Sequence, residues 1–188
     1  MPPVAPRLLP RRRTGAAAAL AAVVLLMTAC SSGAAGDRPA SGARAAAVAP
    51  APNEEPLAFR ASTLAGPQLD VSTLAGQPVV LWFWAPWCTI CRVEGPDVAA
   101  VAAELEGDVT FLGVPGRGQT VDLTSFVQDT GTGGLQHVVD ADGSLWQRFR
   151  VVSQPSFAFV APDGSVETFA GALGEEQLRA RAAALAAG

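Results

Sequence analysis

The sequence contains no lysine, and all 13 of its basic residues are arginine. Four of these arginines fall within the first 29 residues, which hold no acidic residue. The remainder carries nine arginines against 17 acidic residues, so its net charge is −8. Such an acidic surface argues against binding to nucleic acid or to anionic lipid through a basic patch. The 188 residues suffice for one packed domain of ordinary size with extensions.

Side chains that bind metals are scarce as well. The only histidine is His137, both methionines lie within the first 27 residues, and no second cysteine pair accompanies Cys88 and Cys91. The run Asp-Ala-Asp-Gly over residues 140–143 begins like a calcium loop, but valine occupies its twelfth position, so we expect a turn there. We therefore expect no metal and no cofactor. The third cysteine, Cys30, has no partner within the chain and needs a separate explanation.

The first 29 residues have the pattern of a secretory signal peptide. Four arginines precede an apolar run over residues 16–27, which is too short for a permanent span of a ~30 Å hydrocarbon layer. The segment Leu-Met-Thr-Ala-Cys over residues 26–30 resembles the bacterial lipoprotein signal, in which the cysteine is lipidated and becomes the mature N-terminus. This resemblance implies an extracytoplasmic protein, lipid-anchored through Cys30 to the outer face of the cell membrane. The alternative is an ordinary cleavage site that leaves a free thiol at Cys30.

Residues 30–56 are predicted to form a flexible tether. They consist of alanine, glycine, serine and proline with scattered charges and almost no large apolar side chain. Such a stretch buries too little surface to offset the entropy lost on ordering. We therefore expect the folded domain to comprise residues 57–188.

The hydrophobic pattern of the domain predicts an α/β fold. The unbroken apolar run over residues 79–85 indicates a central strand that is covered on both faces. A helix over 88–106 and a second buried strand over 109–114 follow it. Further strands are predicted over 57–64, 68–71, 135–139, 156–161 and 165–169, the last two joined by a Pro-Asp-Gly hairpin turn. Further helices are predicted over 120–129, with Val121, Leu123, Phe126 and Val127 on its inner face, and over 144–150 and 175–187. This order gives a mixed sheet flanked by helices.

A cysteine pair stands where the central strand meets the first helix, in the sequence Trp-Ala-Pro-Trp-Cys-Thr-Ile-Cys over residues 84–91. The free N–H groups and the dipole at a helix start favour an anion, so Cys88 is expected to ionise readily. A two-residue spacing within a helical turn brings the sulfur of Cys91 within bonding distance, so the pair can alternate between dithiol and disulfide. As a purely structural link it would close too small a loop to stabilise the fold much.

With this motif in place, the chain from about residue 57 onward resembles the thioredoxin fold. More narrowly, it is similar to the secreted TlpA/ResA/DsbE-like thiol-disulfide oxidoreductases, which implies an N-terminal β extension and a central insertion. The features that carry the resemblance are the lead-in over 70–78, the Trp-Cys-x-x-Cys motif followed by Arg92, Glu94 and Pro96, the insertion between Val114 and Leu135, and Val-Ser-Gln-Pro over 152–155. The resemblance implies an enzyme that exchanges a Cys88–Cys91 disulfide with protein thiols.

The resemblance also suggests roles for the residues around the motif. Cys88, nearer the helix start, is the predicted nucleophile, and Cys91 is the resolving thiol. Pro155 is the expected cis-proline facing the disulfide, and with it the backbone of Gln154 would be presented to an extended substrate segment. Trp87 would supply an apolar platform beside Cys88, unless it merely packs at an edge.

One position departs from the thioredoxin pattern and raises the question of a proton acceptor. Thioredoxins place a buried aspartate six residues before the first cysteine, paired with a lysine; here the position is Trp82 and lysine is absent. Glu94 lies three residues beyond Cys91, on the same face of the helix, and the family has a glutamate there. We expect Glu94 to be the acid/base for Cys91. The alternative is a glutamate that faces solvent.

Three functions compete for this chain, and we favour the first. The first is a disulfide donor to secreted proteins, with a quinone-linked oxidase as its membrane partner. The second is a reductase of apocytochrome c or other extracytoplasmic disulfides, kept reduced by a thiol-reducing transporter. The third is a non-enzymatic metal-binding or interaction lipoprotein. The replacement of the buried aspartate by Trp82 resembles the secreted actinobacterial-type DsbE proteins, which are oxidising, and this favours the donor. The uncharged pair Thr89-Ile90 offers no charge to stabilise a thiolate and favours the reductase.

Overall fold

The computed structural model describes residues 55–187. The predicted signal peptide over 1–29, Cys30 and the predicted tether up to residue 54 lie outside the described residues. Packing begins close to the first described residue, since Pro56 and Leu57 are buried. The carbonyl of Glu55 also accepts a 3.1 Å hydrogen bond from Nη1 of Arg148. Within residues 55–187, no helix combines the length and the apolar character that crossing a membrane requires.

The domain is built on a mixed five-stranded sheet in the order β5-β4-β3-β6-β7. The central strand, β3, pairs in parallel with β4 and antiparallel with β6, and all six of its residues are buried. The prediction of a central strand covered on both faces is therefore confirmed. The five strands are β3 (Val79–Trp84), β4 (Thr110–Pro115), β5 (Gln136–His137), β6 (Ser156–Val160) and β7 (Val166–Ala170).

A separate antiparallel hairpin precedes this sheet and forms the expected N-terminal β extension. It consists of β1 (Arg60–Ser62) and β2 (Gln68–Asp70), and it meets the edge of the main sheet through an isolated bridge between Thr63 and Val138.

Four α-helices flank the sheet: α1 (Thr89–Glu104), α2 (Thr120–Thr130), α3 (Ser144–Arg148) and α4 (Glu175–Ala186). Helix α2 lies in the segment between Val114 and Leu135 that was expected as an insertion.

The side chains of β3 contribute to two hydrophobic clusters, one on each face of the sheet. Because successive strand residues point to opposite faces, Val80, Trp82 and Trp84 pack with residues of α1, α2 and α4. The alternate residues of β3 pack with α3 and the N-terminal hairpin region. The two clusters fix β3 from both sides, and with it the segment that leads into the cysteine motif.

Several predicted boundaries differ from the observed elements. The helix predicted over 88–106 spans Thr89–Glu104, and the strand predicted over 135–139 is reduced to Gln136–His137. The strand predicted over 57–64 forms only at Arg60–Ser62. Pairing sets the limits of the two strands, since only three residues of β1 and two of β5 find partners in a neighbouring strand.

The placement of Val121 on the inner face of α2 was wrong. Its side chain is 72% exposed, whereas Leu123 and Phe126 are buried. At 100° per residue, two positions put Val121 on roughly the opposite side of the helix from Leu123, so both cannot face the core.

Candidate active site

The two cysteines of the motif form a disulfide at the start of α1. Cys88 is the N-cap residue of this helix and Cys91 lies in its first turn, with the two Cα atoms 5.3 Å apart. The sulfur of Cys88 accepts a 3.0 Å hydrogen bond from the backbone N–H of Cys91. Cys88 is 7% exposed and Cys91 is fully buried. Cys88 is thus the less buried of the two cysteines, and the helix start already directs an N–H group at its sulfur.

Three segments converge around the disulfide at one end of the central strands. The parallel strands β3 and β4 end there, and the antiparallel strand β6 begins there. The backbone N–H of Gly116, just after β4, donates a 2.7 Å hydrogen bond to the carbonyl of Trp84. An added Cβ on Gly118 would lie 3.0 Å from Cγ of Pro86, so the loop that leads into α2 lies against the loop that leads into Cys88.

Large apolar side chains are exposed along these same segments. Trp87 is 62% exposed, so most of its side chain is open to solvent. The other exposed large hydrophobic residues within 55–187 are Ile90, Val93, Val121 and Val152. They lie on the first two turns of α1, at the start of α2 and in the loop before β6.

The segment before β6 carries the two residues predicted to meet a substrate. The Gln154–Pro155 peptide bond is cis, Pro155 is buried and Gln154 is partly exposed. Ser156 pairs with Phe83 near the end of β3, so Pro155 lies at the same end of the sheet as the disulfide. The carbonyl of Pro155 accepts a 2.9 Å hydrogen bond from the N–H of Gly171, which ties this segment to the end of β7.

Glu94 is buried and does not face solvent. It is 4% exposed and lies one helical turn beyond Cys91. Its Oε1 accepts a 2.6 Å hydrogen bond from the N–H of Leu173, and its Oε2 accepts a 3.0 Å bond from the indole N–H of Trp82. Burial raises the pKa of Glu94 from 4.5 to about 7, against the opposing effect of these two donors, and the charge of Asp97 raises it slightly more. The carboxyl group can therefore hold or release a proton near neutral pH.

Two partners of the site were missed at the level of sequence. Trp82 is not only the residue that replaces an aspartate, because its indole is a hydrogen-bond donor to Glu94. Arg92 contacts Pro86 in the loop before Cys88 and Asp129 on α2. The position of Arg92 directly behind the motif was visible in the sequence. Its partners were not, because one of them is 37 residues away.

His137 occupies a structural position on β5. It is 4% exposed, and its Nε2 lies 3.0 Å from the carbonyl oxygen of Thr132. Burial lowers the pKa of His137, although the contact with Thr132 opposes this effect. Within residues 55–187 no three His, Cys, Asp or Glu side chains lie close enough together to hold a metal ion. The carboxylate of Asp140 instead accepts hydrogen bonds from the N–H groups of Leu145 and Trp146 at the start of α3.

A disulfide at the start of the helix that follows the central strand, next to a buried carboxyl group, defines a thiol-disulfide oxidoreductase of the thioredoxin fold. The chain belongs to the AhpC/TSA family, whose model matches residues 51–169.

Known proteins with similar sequences and structures agree with this class. The soluble secreted antigen MPT53 of Mycobacterium tuberculosis is 39% identical over 135 residues, which cover 70% of this chain and 77% of that protein. The structure of MTB DsbF in mixed oxidised and reduced forms has a TM-score of 0.68 and 41% identity, covering 70% of this chain and 98% of that chain. A secreted Mycobacterium tuberculosis disulfide oxidoreductase homologous to E. coli DsbE has a TM-score of 0.66 and 38% identity, with the same coverage. The predicted fold and the predicted resemblance to secreted oxidoreductases are therefore confirmed.

Proposed function

We propose that the protein donates the Cys88–Cys91 disulfide to thiol pairs of secreted or membrane-attached proteins outside the cytoplasm. A client thiolate attacks Sγ of Cys88, the Cys88–Cys91 bond breaks and Cys91 leaves as a thiolate. A second client thiolate then attacks the client sulfur of this mixed disulfide and releases Cys88. The client gains a disulfide and the protein becomes a dithiol. The observation that carries this proposal is the disulfide at the start of α1, in which Cys88 is the N-cap residue and is less buried than Cys91.

Glu94 is the proton donor and acceptor for Cys91 in this scheme. The Cys91 thiolate is released into a buried setting, where an uncompensated charge is costly. A carboxyl group with a pKa of about 7 supplies a proton to it at neutral pH and accepts the proton again when the dithiol is reoxidised. Its position one turn beyond Cys91 supports this role.

The client segment binds in an extended form across the edge of the sheet. Trp87 offers an apolar platform beside Cys88, and the backbone of Gln154 before Pro155 offers hydrogen-bonding groups to a passing strand. The exposed side chains of Ile90 and Val152 widen the apolar surface around the disulfide. Such a surface suits unfolded chains, whose apolar residues are still exposed.

The protein works at the outer face of the cell membrane. Residues 1–29 direct export, Cys30 carries the lipid, and the residues from there up to 54 form a tether that lets the domain reach its clients. A quinone-linked oxidase in the membrane accepts electrons from the reduced Cys88 and Cys91 and restores the disulfide. The arginine-rich leader with its short apolar run, the Leu-Met-Thr-Ala-Cys segment and the secreted relatives support this placement.

A reductase is the second candidate, favoured by the uncharged dipeptide Thr89-Ile90 between the cysteines. In that case a thiol-reducing transporter keeps the pair reduced, and disulfides such as that of apocytochrome c are the substrates. Equilibration of the protein with glutathione buffers separates the two directions. A potential of about −120 mV supports the donor, and one of about −270 mV supports the reductase.

Activity itself is tested by oxidative refolding of a reduced, unfolded client protein. The oxidised protein should form client disulfides stoichiometrically, the Cys88→Ser variant should form none, and a reduced Cys91→Ser variant should trap a mixed disulfide when offered a disulfide-bonded client. If the wild-type protein neither oxidises nor reduces any client, the third possibility, a non-enzymatic metal-binding or interaction lipoprotein, replaces both.

A further inference from the structure

Arg92 joins the loop before Cys88 to helix α2. Its Nη2 donates a 3.0 Å hydrogen bond to the carbonyl of Pro86, and its Nη1 lies 3.0 Å from Oδ2 of Asp129. The guanidinium lies over the ring of Phe126, 5.0 Å from the ring centre. Phe126 in turn stacks on Trp84, with ring centres 4.0 Å apart, just before the loop begins. Arg92 therefore ties Pro86 to α2, and Phe126 of the same helix contacts both Arg92 and Trp84.

The contact with Pro86 matters more than the ion pair with Asp129. The side chains of Arg92 and Asp129 are 39% and 57% exposed, so solvent screens their attraction and the pair contributes little to stability. The Pro86 carbonyl is only two residues before Cys88, and fixing it limits where the Cys88 sulfur can lie. The planar fork of a guanidinium can hold the carbonyl and the carboxylate at once, which the single ammonium of lysine does less well.

The positive charge of Arg92 also affects the ionisation of the Cys88 thiol. Arg92 is four residues after Cys88, so both lie on one side of the first turn of α1. Neither residue between the cysteines carries a charge, and Arg92 is the cation that follows directly after the motif. A cation beside a helix start adds to the effect of the free N–H groups and favours the thiolate over the thiol.

We propose that Arg92 is a positioning residue for thiol-disulfide exchange, which holds the loop over residues 85–87, and with it the Cys88 sulfur, in the reactive arrangement. Its charge at the same time stabilises the Cys88 thiolate once the disulfide opens. This inference rests on the proposed function of the cysteine pair. A purely structural alternative is that Arg92 only ties α1 to α2 through Asp129.

The test compares three full-length variants in the reduced state: Arg92→Gln, Arg92→Lys and Asp129→Asn. Two quantities are measured, the pKa of the Cys88 thiol from the pH dependence of its alkylation, and the rate of exchange with a small disulfide at high pH, where the thiol is fully ionised. We expect Arg92→Gln to raise the thiol pKa, to lower the thiolate fraction near pH 6 by about threefold to tenfold, and to slow exchange at high pH. Arg92→Lys should restore the pKa but not the rate at high pH, because it keeps the charge without the fork.

Asp129→Asn is the matched control, since it removes the ion pair and leaves the contact with Pro86. The thiolate fraction near pH 6 and the exchange rate at high pH should both stay within about twofold of wild type, as expected for an exposed ion pair. If Asp129→Asn reproduces the changes of Arg92→Gln, or if Arg92→Gln behaves as wild type in both measurements, the inference is overturned. Failure of the proposed function would look different, because the wild-type protein itself would then not exchange disulfides with any client.

Discussion

The indole N–H of Trp82, on the central strand, donates a 3.0 Å hydrogen bond to Oε2 of Glu94, on the helix that carries the disulfide. Thioredoxins place a carboxyl group at the strand position that Trp82 occupies. In this chain the buried acid lies on α1 instead, and the strand residue serves as its donor. Burial stabilises the protonated form, whereas the N–H of Leu173 and the indole stabilise the ionised form, and the balance leaves the pKa of Glu94 at about 7.

Replacing Trp82 by phenylalanine removes this donor and should raise the pKa of Glu94 further. Glu94 would then remain protonated to a higher pH, so the pH dependence of disulfide exchange should move upward by about one to two units, as expected for one hydrogen bond to a charged group. The measurement is the rate of exchange with a client peptide between pH 5 and 9.

Trp84→Phe is the matched control for this substitution. It is also a fully buried tryptophan of β3, but its indole nitrogen has no hydrogen-bond partner among the described residues. We expect its pH profile to coincide with that of wild type. If Trp82→Phe and Trp84→Phe shift the profile equally, the donor role of Trp82 is wrong.

Glu94 should also make the stability of the oxidised protein depend on pH. Its pKa is about 7 in the folded state against an ordinary value of 4.5, so between these values the folded state binds more protons than the unfolded chain. The contribution of Glu94 is most favourable below about pH 4.5 and is lost as the pH rises through 7. The difference of the two pKa values corresponds to a loss of at most about 3 kcal/mol in the free energy of unfolding.

Urea unfolding of the oxidised protein at pH 5 and pH 8 measures this effect, with Glu94→Gln as the control. Glutamine does not titrate, so the variant should lose the part of the pH dependence that Glu94 causes, although it is less stable overall because its amide cannot accept from both donors. His137 has a lowered pKa and acts with the opposite sign, reducing stability as the pH falls below 6.5. It is present in both proteins and cancels in the comparison. Equal pH dependence in the two proteins would contradict the assignment.

The sequence was sufficient to locate the disulfide because the signals involved are local. An unbroken apolar run predicts β3, the cysteine spacing predicts a bond within one helical turn, and a Pro-Asp-Gly turn predicts the final hairpin. The partners of Glu94 could not be predicted in the same way. Leu173 donates through its backbone from 79 residues away, and no side-chain pattern marks such a contact. The burial of Glu94 was equally hidden, since spacing along a helix gives a face but not what covers it.

Asp140 should contribute to stability through the start of α3. Its carboxylate accepts from the N–H groups of Leu145 at 3.1 Å and Trp146 at 2.9 Å, whereas the N-cap residue Gly143 offers no side chain. Asp140→Ala leaves these donors without a partner in a buried setting and should lower the free energy of unfolding by about 1–3 kcal/mol. Asp163→Ala removes an exposed carboxylate that accepts from Ser165, and should cost clearly less in the same urea titration. Equal losses would show that burial of the Asp140 cap does not matter.

A larger residue at Gly113 should destabilise the fold, because Gly113 makes room for the ring of His137 on the neighbouring strand. It pairs with His137 across β4 and β5, and a Cβ added to it would lie 2.0 Å from Nδ1 of His137 and 3.0 Å from Nε1 of Trp84. The ring cannot easily withdraw, since its Nε2 is held at the carbonyl of Thr132.

We therefore expect Gly113→Ala to lower the free energy of unfolding by about 3 kcal/mol, at the upper end of what overpacking usually costs. Gly134→Ala, where an added methyl group meets nothing within 4 Å, should stay within about 0.5 kcal/mol of wild type. A double-mutant cycle with His137→Ala isolates the cause, because removal of the ring also removes the clash. In the His137→Ala background the Gly113 substitution should cost much less. If its cost is unchanged there, the penalty arises from the strand backbone and not from the contact with His137.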